Sequence, residues 1–262
     1  QEARELGYTS INMDLIYGLP LQTVNTMYRT LKTVLDWRPD RIALYSYAHL
    51  PERFKPQRRI ETEAIPSPQE KLAMLKLAVT TLLQAGYVYI GMDHFALPDD
   101  ELAQALDEGS LQRNFQGYAT RADCDLIALG VSAISRIGHV YAQNARTLEQ
   151  YHEMLEGDEL PLIRGLVISH DDEIRRDAIH SLLCQSKLSF SDVSQRWGID
   201  AQSYFADDLE DLAGLQADGL VNIDDEQVMI TPKGRFLSRV VAMRFDKYLR
   251  MGQPLARYSK VI

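Results

Sequence analysis

The chain has 262 residues, of which 45% are hydrophobic and 25% are charged, and its formal net charge at pH 7 is −9. At roughly 150 residues per domain, this length predicts about two domains with a large core. No apolar run approaches the roughly 18 residues that a membrane-spanning helix needs, so we expect no membrane attachment. The acidic balance also argues against general nucleic-acid affinity for the whole chain.

The cysteines indicate the cellular compartment of the protein, and the first residues indicate whether the sequence is a fragment. Cys124 and Cys184 stand far apart in apolar surroundings, which is typical of reduced thiols, and we expect a cytoplasmic protein. The chain starts QEARELGY without an initiator methionine, in the pattern of a helix end closed by Gly7. We therefore interpret the sequence as a fragment.

A single carboxylate interrupts an apolar run near the start of the chain. Asp14 lies in NMDLIYGLP, which Gly18 and Pro20 close. This run predicts a strand that is buried on both faces and ends in a tight turn. A buried carboxylate needs partners, so Asp14 is expected to be paired, hydrogen-bonded or facing a ligand pocket. Spacing alone leaves open whether it caps a neighbouring loop or serves a ligand.

Strands and helices alternate through the first part of the chain. Further strands are predicted at 41–48, 87–96 and 125–135, and helices are predicted after Thr23, after Ser67 and over 99–109. This order predicts parallel βαβ units with right-handed crossovers, as in the later part of an α/β barrel or an open sheet.

Ligands bind at the carboxyl ends of the strands in such folds. His49 and His94 fall at such ends, although a histidine there is most often a hydrogen-bonded structural residue. Ala48 and Ile134 have no reactive side chain, so they can offer only backbone groups or an apolar wall of the kind that accepts an adenine ring.

The pattern changes to helices after about residue 160. Asp171 and Asp172 open a predicted helix, short helices follow from Phe190 to about Gln216, and LVNIDDEQVMI predicts a hairpin. Helices followed by a hairpin predict a winged-helix-like second domain. Thr231-Pro232 predicts the start of a last helix. Its predicted buried face is formed by Leu237, Val240, Val241, Phe245 and Tyr248.

The last thirty residues are basic in an acidic chain. One interpretation is a nucleic-acid-binding module, and the favoured one is a solvated helix face. The basic residues are Lys233, Arg235, Arg239, Arg244, Lys247, Arg250, Arg257 and Lys260.

Five motifs indicate a family. They are DLIYGLPLQT, YAHLP, GMDHFA, RNFQGY and GVSAIS. Together they resemble the oxygen-independent coproporphyrinogen III oxidases, radical S-adenosylmethionine enzymes of haem biosynthesis. The resemblance implies an α/β fold, with late β/α units of a partial TIM-like barrel over 1–158 and a helical C-terminal domain over 159–262. Haem-chaperone-like relatives without oxidase activity share the first motif but usually differ where this chain has GMDHFALPDD, and they remain the alternative.

The resemblance also implies a reaction. The family converts two propionates of coproporphyrinogen III to vinyl groups, giving protoporphyrinogen IX and carbon dioxide, by way of a 5′-deoxyadenosyl radical. It implies two molecules of S-adenosyl-L-methionine per full-length enzyme and an electron donor such as a flavodoxin-type protein. We expect a monomer with no nucleic-acid partner.

The resemblance assigns roles to particular residues. Asp14 and the main chain of Ala48 would contact the second S-adenosylmethionine, and Ile134 would lie against the first. Arg113 and Asn114 are candidates for the substrate carboxylates, because guanidinium groups bind carboxylates well. The family's 4Fe-4S cluster is held by a C-x3-C-x2-C run that this sequence lacks, and its two cysteines cannot replace that run. We therefore expect no metal ligand and no catalytic residue in this chain, which alone should be inactive.

Overall fold

A computed structural model describes residues 2–115, 117–121 and 124–251. The first part of the chain contains α1 (Glu2–Glu5), β1 (Asn12–Tyr17), α2 (Val24–Trp37), β2 (Arg41–Ser46), α3 (Pro68–Gln84), β3 (Val88–Gly91), β4 (His94–Ala96) and α4 (Glu101–Asp107). The long loop after β2 contains two short 3-10 helices, Lys55–Arg59 and Thr62–Ala64.

Local capping sets the starts of the two long helices as predicted. The Thr23 hydroxyl accepts the amide of Thr26 at the start of α2, and Ser67 and Glu70 form a reciprocal capping box at the start of α3. Both helices bury one apolar face against the sheet. The predicted helices that follow Thr23 and Ser67 are therefore confirmed.

The first sheet has the strand order β1-β2-β4-β3. Strands β1 and β2 are parallel, as predicted, but β4 runs antiparallel to β2. The single strand predicted over 87–96 is wrong, because the chain turns back within it. Gly91 and Met92 both adopt positive φ angles, which end β3 and form a hairpin with β4.

The two faces of β1 differ. Its side chains alternate, so that Met13, Leu15 and Tyr17 pack toward α2 and α3. Asn12, Asp14 and Ile16 are exposed on the opposite face. The prediction that β1 is buried on both faces is therefore wrong for the residues that the structure describes.

The middle of the chain folds antiparallel. It contains β5 (Gln112–Asn114), β6 (Gly117–Ala119), β7 (Ile134–Ile137), β8 (Val140–Asn144), α5 (Leu148–Glu156) and β9 (Leu162–Val167). Strands β5 and β6 form a hairpin, and β7, β8 and β9 form a separate sheet.

The strand predicted over 125–135 is a second error. Leu126 forms only an isolated bridge with Arg136, and β7 begins at Ile134. Gly130 and Ser132 both adopt positive φ angles, which an extended strand does not allow. Of the predicted parallel series, the described residues therefore retain the β1–β2 pair.

The last part packs around its own apolar core. Its elements are α6 (His170–Gln185), β10 (Lys187–Ser189), α7 (Phe190–Trp197), α8 (Ala201–Tyr204), α9 (Ala206–Asp211), α10 (Ala213–Ala217), β11 (Val221–Ile223), β12 (Gln227–Ile230), α11 (Ser238–Ala242) and α12 (Lys247–Arg250). Strands β10, β12 and β11 form an antiparallel sheet. The predicted helix at 171, the short helices that follow it and the predicted hairpin are confirmed.

The continuous last helix is not formed. Two 3-10 segments, Gly234–Leu237 and Met243–Phe245, interrupt it. Gly234 packs so closely on the Leu220 carbonyl that a side chain would not fit there. Tyr248, predicted to be buried, is 47% exposed, whereas Val241 and Phe245 are buried as predicted. None of the described helices is long and apolar enough to span a bilayer.

Several basic residues near the end of the described chain form ion pairs or hydrogen bonds. Lys247 pairs with Asp171 and Asp172, and Arg250 pairs with Asp208. Arg235 donates to the Tyr89 carbonyl at 2.9 Å. Lys233, Arg239, Arg244 and Arg250 are nevertheless exposed, which agrees with the predicted solvated face. Arg257 and Lys260 lie outside the described residues.

Candidate functional site

One face of the first sheet carries a row of three residues, which is exposed at Asp14, buried at Ala43 and partly buried at His94. Asp14 on β1 pairs in register with Ala43 on β2, and Ala43 pairs with His94 on β4. Side chains that are paired in register lie on the same face of a sheet. Asp14 and His94 are therefore two strand spacings apart, about 9 to 10 Å, with only the small Ala43 between them.

Asp14 has a local partner on this face. The side-chain amide of Asn12 donates to its carboxylate at 2.7 Å, and both residues are exposed. Among the described residues, no backbone amide is recorded as a donor to Asp14, so the loop-capping alternative is not supported. The carboxylate keeps accepting capacity toward the open side of the sheet.

His94 is the more buried end of the row. Burial and, next, the positive charge of Arg113 lower the pKa of His94 to about 4, although Asp14 opposes this shift. Its Nδ1 atom is buried and has no hydrogen-bond partner among the described residues. The ring meets Tyr118 and Tyr45 edge-on, at centroid distances of 5.2 and 6.1 Å. His94 is therefore neutral at pH 7.

Arg113 contacts the Tyr118 ring, which in turn contacts His94. Its guanidinium carbon is 5.0 Å from the centre of the Tyr118 ring, and the Tyr118 hydroxyl donates to the Leu183 carbonyl at 3.0 Å. Asp14 and Arg113, predicted independently from the sequence, both influence His94 electrostatically and thus lie in one region. Asn114 follows Arg113 on β5 and is exposed.

The long loop after β2 fixes the main chain at Ala48. The side-chain amide of Gln57 donates to the Ala48 carbonyl at 3.0 Å, and its oxygen accepts the Leu50 amide at 2.6 Å. Sequence reasoning missed Gln57. His49 Nδ1 is buried and has no described partner.

Ile134 belongs to a different sheet. It pairs with Gln143 on β8. Among the described residues, no recorded hydrogen bond or ring contact joins it to Asp14 or Ala48. The structure thus brings Asp14 and Arg113 into one region and leaves Ile134 apart.

A second feature is a cavity of about 600 Å³ between β5, β7 and α6. We call it the arginine cavity, after Arg113, Arg136 and Arg176 in its wall. His180 lines it as well, and burial followed by the charges of Arg176, Arg136 and Arg113 lowers the pKa of His180 to about 4. Sequence reasoning missed Arg136, Arg176 and His180. No local signal separates them from surface residues.

Comparison with known proteins identifies the family. The family profile of the HemN C-terminal domain matches residues 168–237. Over 262 residues the chain is 50% identical to the oxygen-independent coproporphyrinogen III oxidase of Pseudomonas aeruginosa, covering 100% of this chain and 57% of that protein. Over 248 residues it is 40% identical to the enzyme of the same name from Thermostichus vulcanus, covering 94% and 76%. The chain belongs to the oxygen-independent coproporphyrinogen III oxidase family.

A solved structure supports this membership. The coproporphyrinogen III oxidase (HemN) of Escherichia coli, described as a radical SAM enzyme, matches with a TM-score of 0.91 and 51% identity, covering 94% of this chain and 57% of that chain. This chain therefore spans little more than half the length of several relatives. The family resemblance inferred from the motifs and the mixed α/β fold are confirmed.

The described cysteines do not fit the iron–sulfur cluster implied for oxidases of this radical SAM family. Cys124 is exposed and Cys184 is buried. Burial raises the pKa of the Cys184 thiol to about 12, which keeps it protonated at pH 7. Clusters are held by several thiolates together. Within 2–115, 117–121 and 124–251, no three His, Cys, Asp or Glu side chains are grouped to hold a metal ion.

Proposed function

We propose that this chain forms part of an oxygen-independent coproporphyrinogen III oxidase and contributes to its cofactor and substrate sites. Support comes from the 50% identity with a relative of that name and from the row of Asp14, Ala43 and His94 on one face of the first sheet. The row is the observation that carries the proposal, because it places a charged acceptor and an aromatic cluster on one face of the sheet.

The finer architecture is also part of this proposal. Residues 1–158 correspond to late units of a TIM-like barrel, supported by the parallel β1–α2–β2 unit with helices on one face. Residues 159–262 correspond to a winged-helix-like domain, supported by α6 and α7 packed with the sheet β10-β12-β11.

The face of the first sheet that carries Asp14 fits S-adenosylmethionine. The Asp14 carboxylate can accept hydrogen bonds from a ligand, and the carbonyl of Ala48, held by Gln57, has a second lone pair. Asp14 and Ala48 would contact the second S-adenosylmethionine, whereas Ile134, on a different sheet, would offer an apolar contact to the first. When bound, S-adenosylmethionine supplies the hydrogen-abstracting chemistry for which the radical SAM class is named. The role of this chain is to orient the ligand and to limit its exposure to water.

The substrate and partners follow from the family. The substrate is coproporphyrinogen III, whose two propionates become the vinyl groups of protoporphyrinogen IX, and Arg113 and Asn114 are candidates to contact its carboxylates. The reaction takes place in the cytoplasm in a monomer, and a flavodoxin-type protein supplies electrons. The two described cysteines do not supply the set of thiolates that a 4Fe-4S cluster needs.

The test is anaerobic turnover by the purified protein that contains this chain, with coproporphyrinogen III, S-adenosylmethionine and a reductant. We expect divinyl product, measured by chromatography after oxidation to the porphyrins. Asp14→Asn should lower the yield, whereas Asp36→Asn, the same change on the exposed surface of α2, should not. Binding of haem without any vinyl product would instead support the haem-chaperone-like alternative.

A further inference from the structure

Three guanidinium nitrogens in the arginine cavity lack acceptors. Arg113 Nη1, Arg136 Nε and Arg176 Nη1 are buried and have no hydrogen-bond partner among the described residues. Buried donors without acceptors are rare in folded proteins, and a guanidinium group keeps its charge under all ordinary conditions. Three such donors around one cavity indicate that an anion accepts hydrogen bonds from them.

The nearby carboxylates are bound to other groups. Asp172 accepts from the Ser169 backbone and hydroxyl and pairs with Lys247. Asp177 pairs with Arg196 at 2.6 Å and accepts from the indole of Trp197. Asp125 and Asp246, which line the cavity together with Asp172, accept the amides of Gly138 at 2.8 Å and of Tyr248 at 2.9 Å.

The cavity therefore has a cationic excess. Six arginine or lysine side chains and three carboxylates line it among the residues that the structure describes. No described acidic residue forms a salt bridge with Arg113, Arg136 or Arg176. An anionic ligand would meet donors that no side chain of the described protein satisfies.

The remaining wall of the cavity is apolar. Phe115 and Tyr141 meet edge-on at 5.4 Å, and Ile179 and Leu183 extend this surface along α6. Sites for small molecules typically measure about 300 to 1,000 Å³ and combine an apolar lining with a few polar groups. The 600 Å³ cavity thus suits a ligand with an apolar body and several anionic groups.

We infer that Arg136 and Arg176, together with Arg113, bind carboxylate side chains of the macrocyclic substrate and so hold it in the arginine cavity. This inference rests on the proposed function, and it adds two residues to which neither the sequence motifs nor the family resemblance gave a role. Carboxylates match the planar fork of a guanidinium group and bind it through paired hydrogen bonds. Phosphate groups share this chemistry, so the test must separate the two sources.

The probe is coproporphyrin III, the stable fluorescent form that carries the same four carboxylates. We expect Arg136→Gln and Arg176→Gln each to weaken its binding by about ten- to a hundred-fold, the value of a charged hydrogen bond. Arg29→Gln is the matched control, because Arg29 is exposed on α2, away from the cavity. The tetramethyl ester of the probe should bind with similar affinity to all four proteins. Arg176→Lys, which keeps the charge but loses the fork, should fall between the wild type and Arg176→Gln.

Each result has a defined meaning. Unchanged coproporphyrin affinity in Arg136→Gln and Arg176→Gln, with native circular dichroism, would overturn this inference and leave the proposed function intact. No coproporphyrin binding by the wild-type protein would overturn both. Inorganic phosphate that binds in an Arg176-dependent way, without any change in coproporphyrin affinity, would assign the cavity to a phosphate ligand and reject the carboxylate site.

Discussion

Two adjacent arginines on α6 have opposite surroundings. Arg175 donates to Asp171 and Asp208, both at 3.0 Å, and to the Phe245 carbonyl at 3.2 Å. Arg176 extends into the arginine cavity, where its Nη1 atom is buried without a described acceptor. An arginine side chain thus stabilises the fold at position 175, whereas at position 176 it has a donor without an acceptor. The difference between paired and unpaired buried charge separates the scaffold of this chain from its candidate site.

The paired network joins α6 to the end of the described chain. Lys247 pairs with Asp171 and Asp172, and Arg250 pairs with Asp208. Asp208 is only 1% exposed, so its charge depends on these partners. Removing one partner of a buried ion pair is costly because it leaves the other charge uncompensated.

The largest effect should follow from breaking this network. Arg175→Met keeps most of the apolar stem but leaves Asp208 with fewer partners, and we expect a loss of about 3 kcal/mol in the free energy of unfolding. Urea denaturation monitored by circular dichroism measures it. Arg29→Met on the surface of α2 is the control and should change stability by no more than about 0.5 kcal/mol. A loss that small for Arg175→Met would show that the network contributes little.

Like Arg176, Asp14 is a charged residue without an ion-pair partner among the described residues. By the same reasoning as for Arg176, we expect Asp14 to bind a ligand. Asp14→Asn should weaken binding of S-adenosylmethionine by about ten- to a hundred-fold, because a charged hydrogen bond is worth roughly 1.5 to 3 kcal/mol. Stability should change by less than about 0.5 kcal/mol, since the residue is exposed. Calorimetric titration and thermal melting on the same sample give the two values. A large fall in melting temperature with unchanged affinity would assign Asp14 to the scaffold.

The sequence predicts local structure better than it predicts the site. The helices after Thr23 and Ser67 are found because a capping hydroxyl and an apolar period of 3.6 are properties of neighbouring residues. The continuous strands predicted over 87–96 and 125–135 are wrong because apolar composition favours a strand there, whereas residues with positive φ angles turn the chain. Gly91 and Met92 turn the chain in the first case, and Gly130 and Ser132 in the second.

The candidate site is predictable only in part. Asp14 stands out because a carboxylate interrupts an apolar strand. Arg136 and Arg176 do not, since nothing in their local sequence tells whether a distant carboxylate will pair with them. Arg175 is adjacent to Arg176 in the sequence, yet it pairs with Asp208, which is far along the chain. Only tertiary structure distinguishes the two.

The pH dependence of the free energy of unfolding tests the surroundings of the two partly buried histidines, His94 and His180. His180 and His94 have folded-state pKa values of about 4, below the usual value of 6.5, so the unfolded chain binds more protons between these values. The contribution of these histidines to the free energy of unfolding should be fully present above pH 6.5 and should decrease as the pH falls toward 4. At about 1.4 kcal/mol per pKa unit, reduced by partial solvent screening, each histidine should account for about 1 to 2 kcal/mol.

His180→Gln isolates one of the two contributions. The variant should show a smaller slope between pH 6.5 and 4 than the wild-type protein, measured by urea denaturation at several pH values. The paired carboxylates do not interfere, because burial is outweighed at Asp171 and Asp172 by hydrogen bonds from Lys247, which keep both pKa values below the usual range. An unchanged slope in His180→Gln would mean that His180 titrates normally in the folded protein and that the cavity is open to water.

The smallest expected change in stability is that of Arg176→Met. It separates the two arginines most clearly, because Arg176→Met should stabilise the protein whereas Arg175→Met should destabilise it. Arg176→Met removes a buried donor that lacks an acceptor and keeps an apolar stem against Ile179 and the rest of the cavity wall. Since an unsatisfied buried donor costs roughly 1 to 3 kcal/mol, we expect the free energy of unfolding to rise by about 1 kcal/mol. The same variant should bind coproporphyrin III more weakly, so that stability and ligand affinity move in opposite directions. Adding saturating coproporphyrin III should raise the melting temperature of the wild-type protein more than that of Arg176→Met. If Arg176→Met instead loses as much stability as Arg175→Met, Arg176 has a structural partner and belongs to the scaffold.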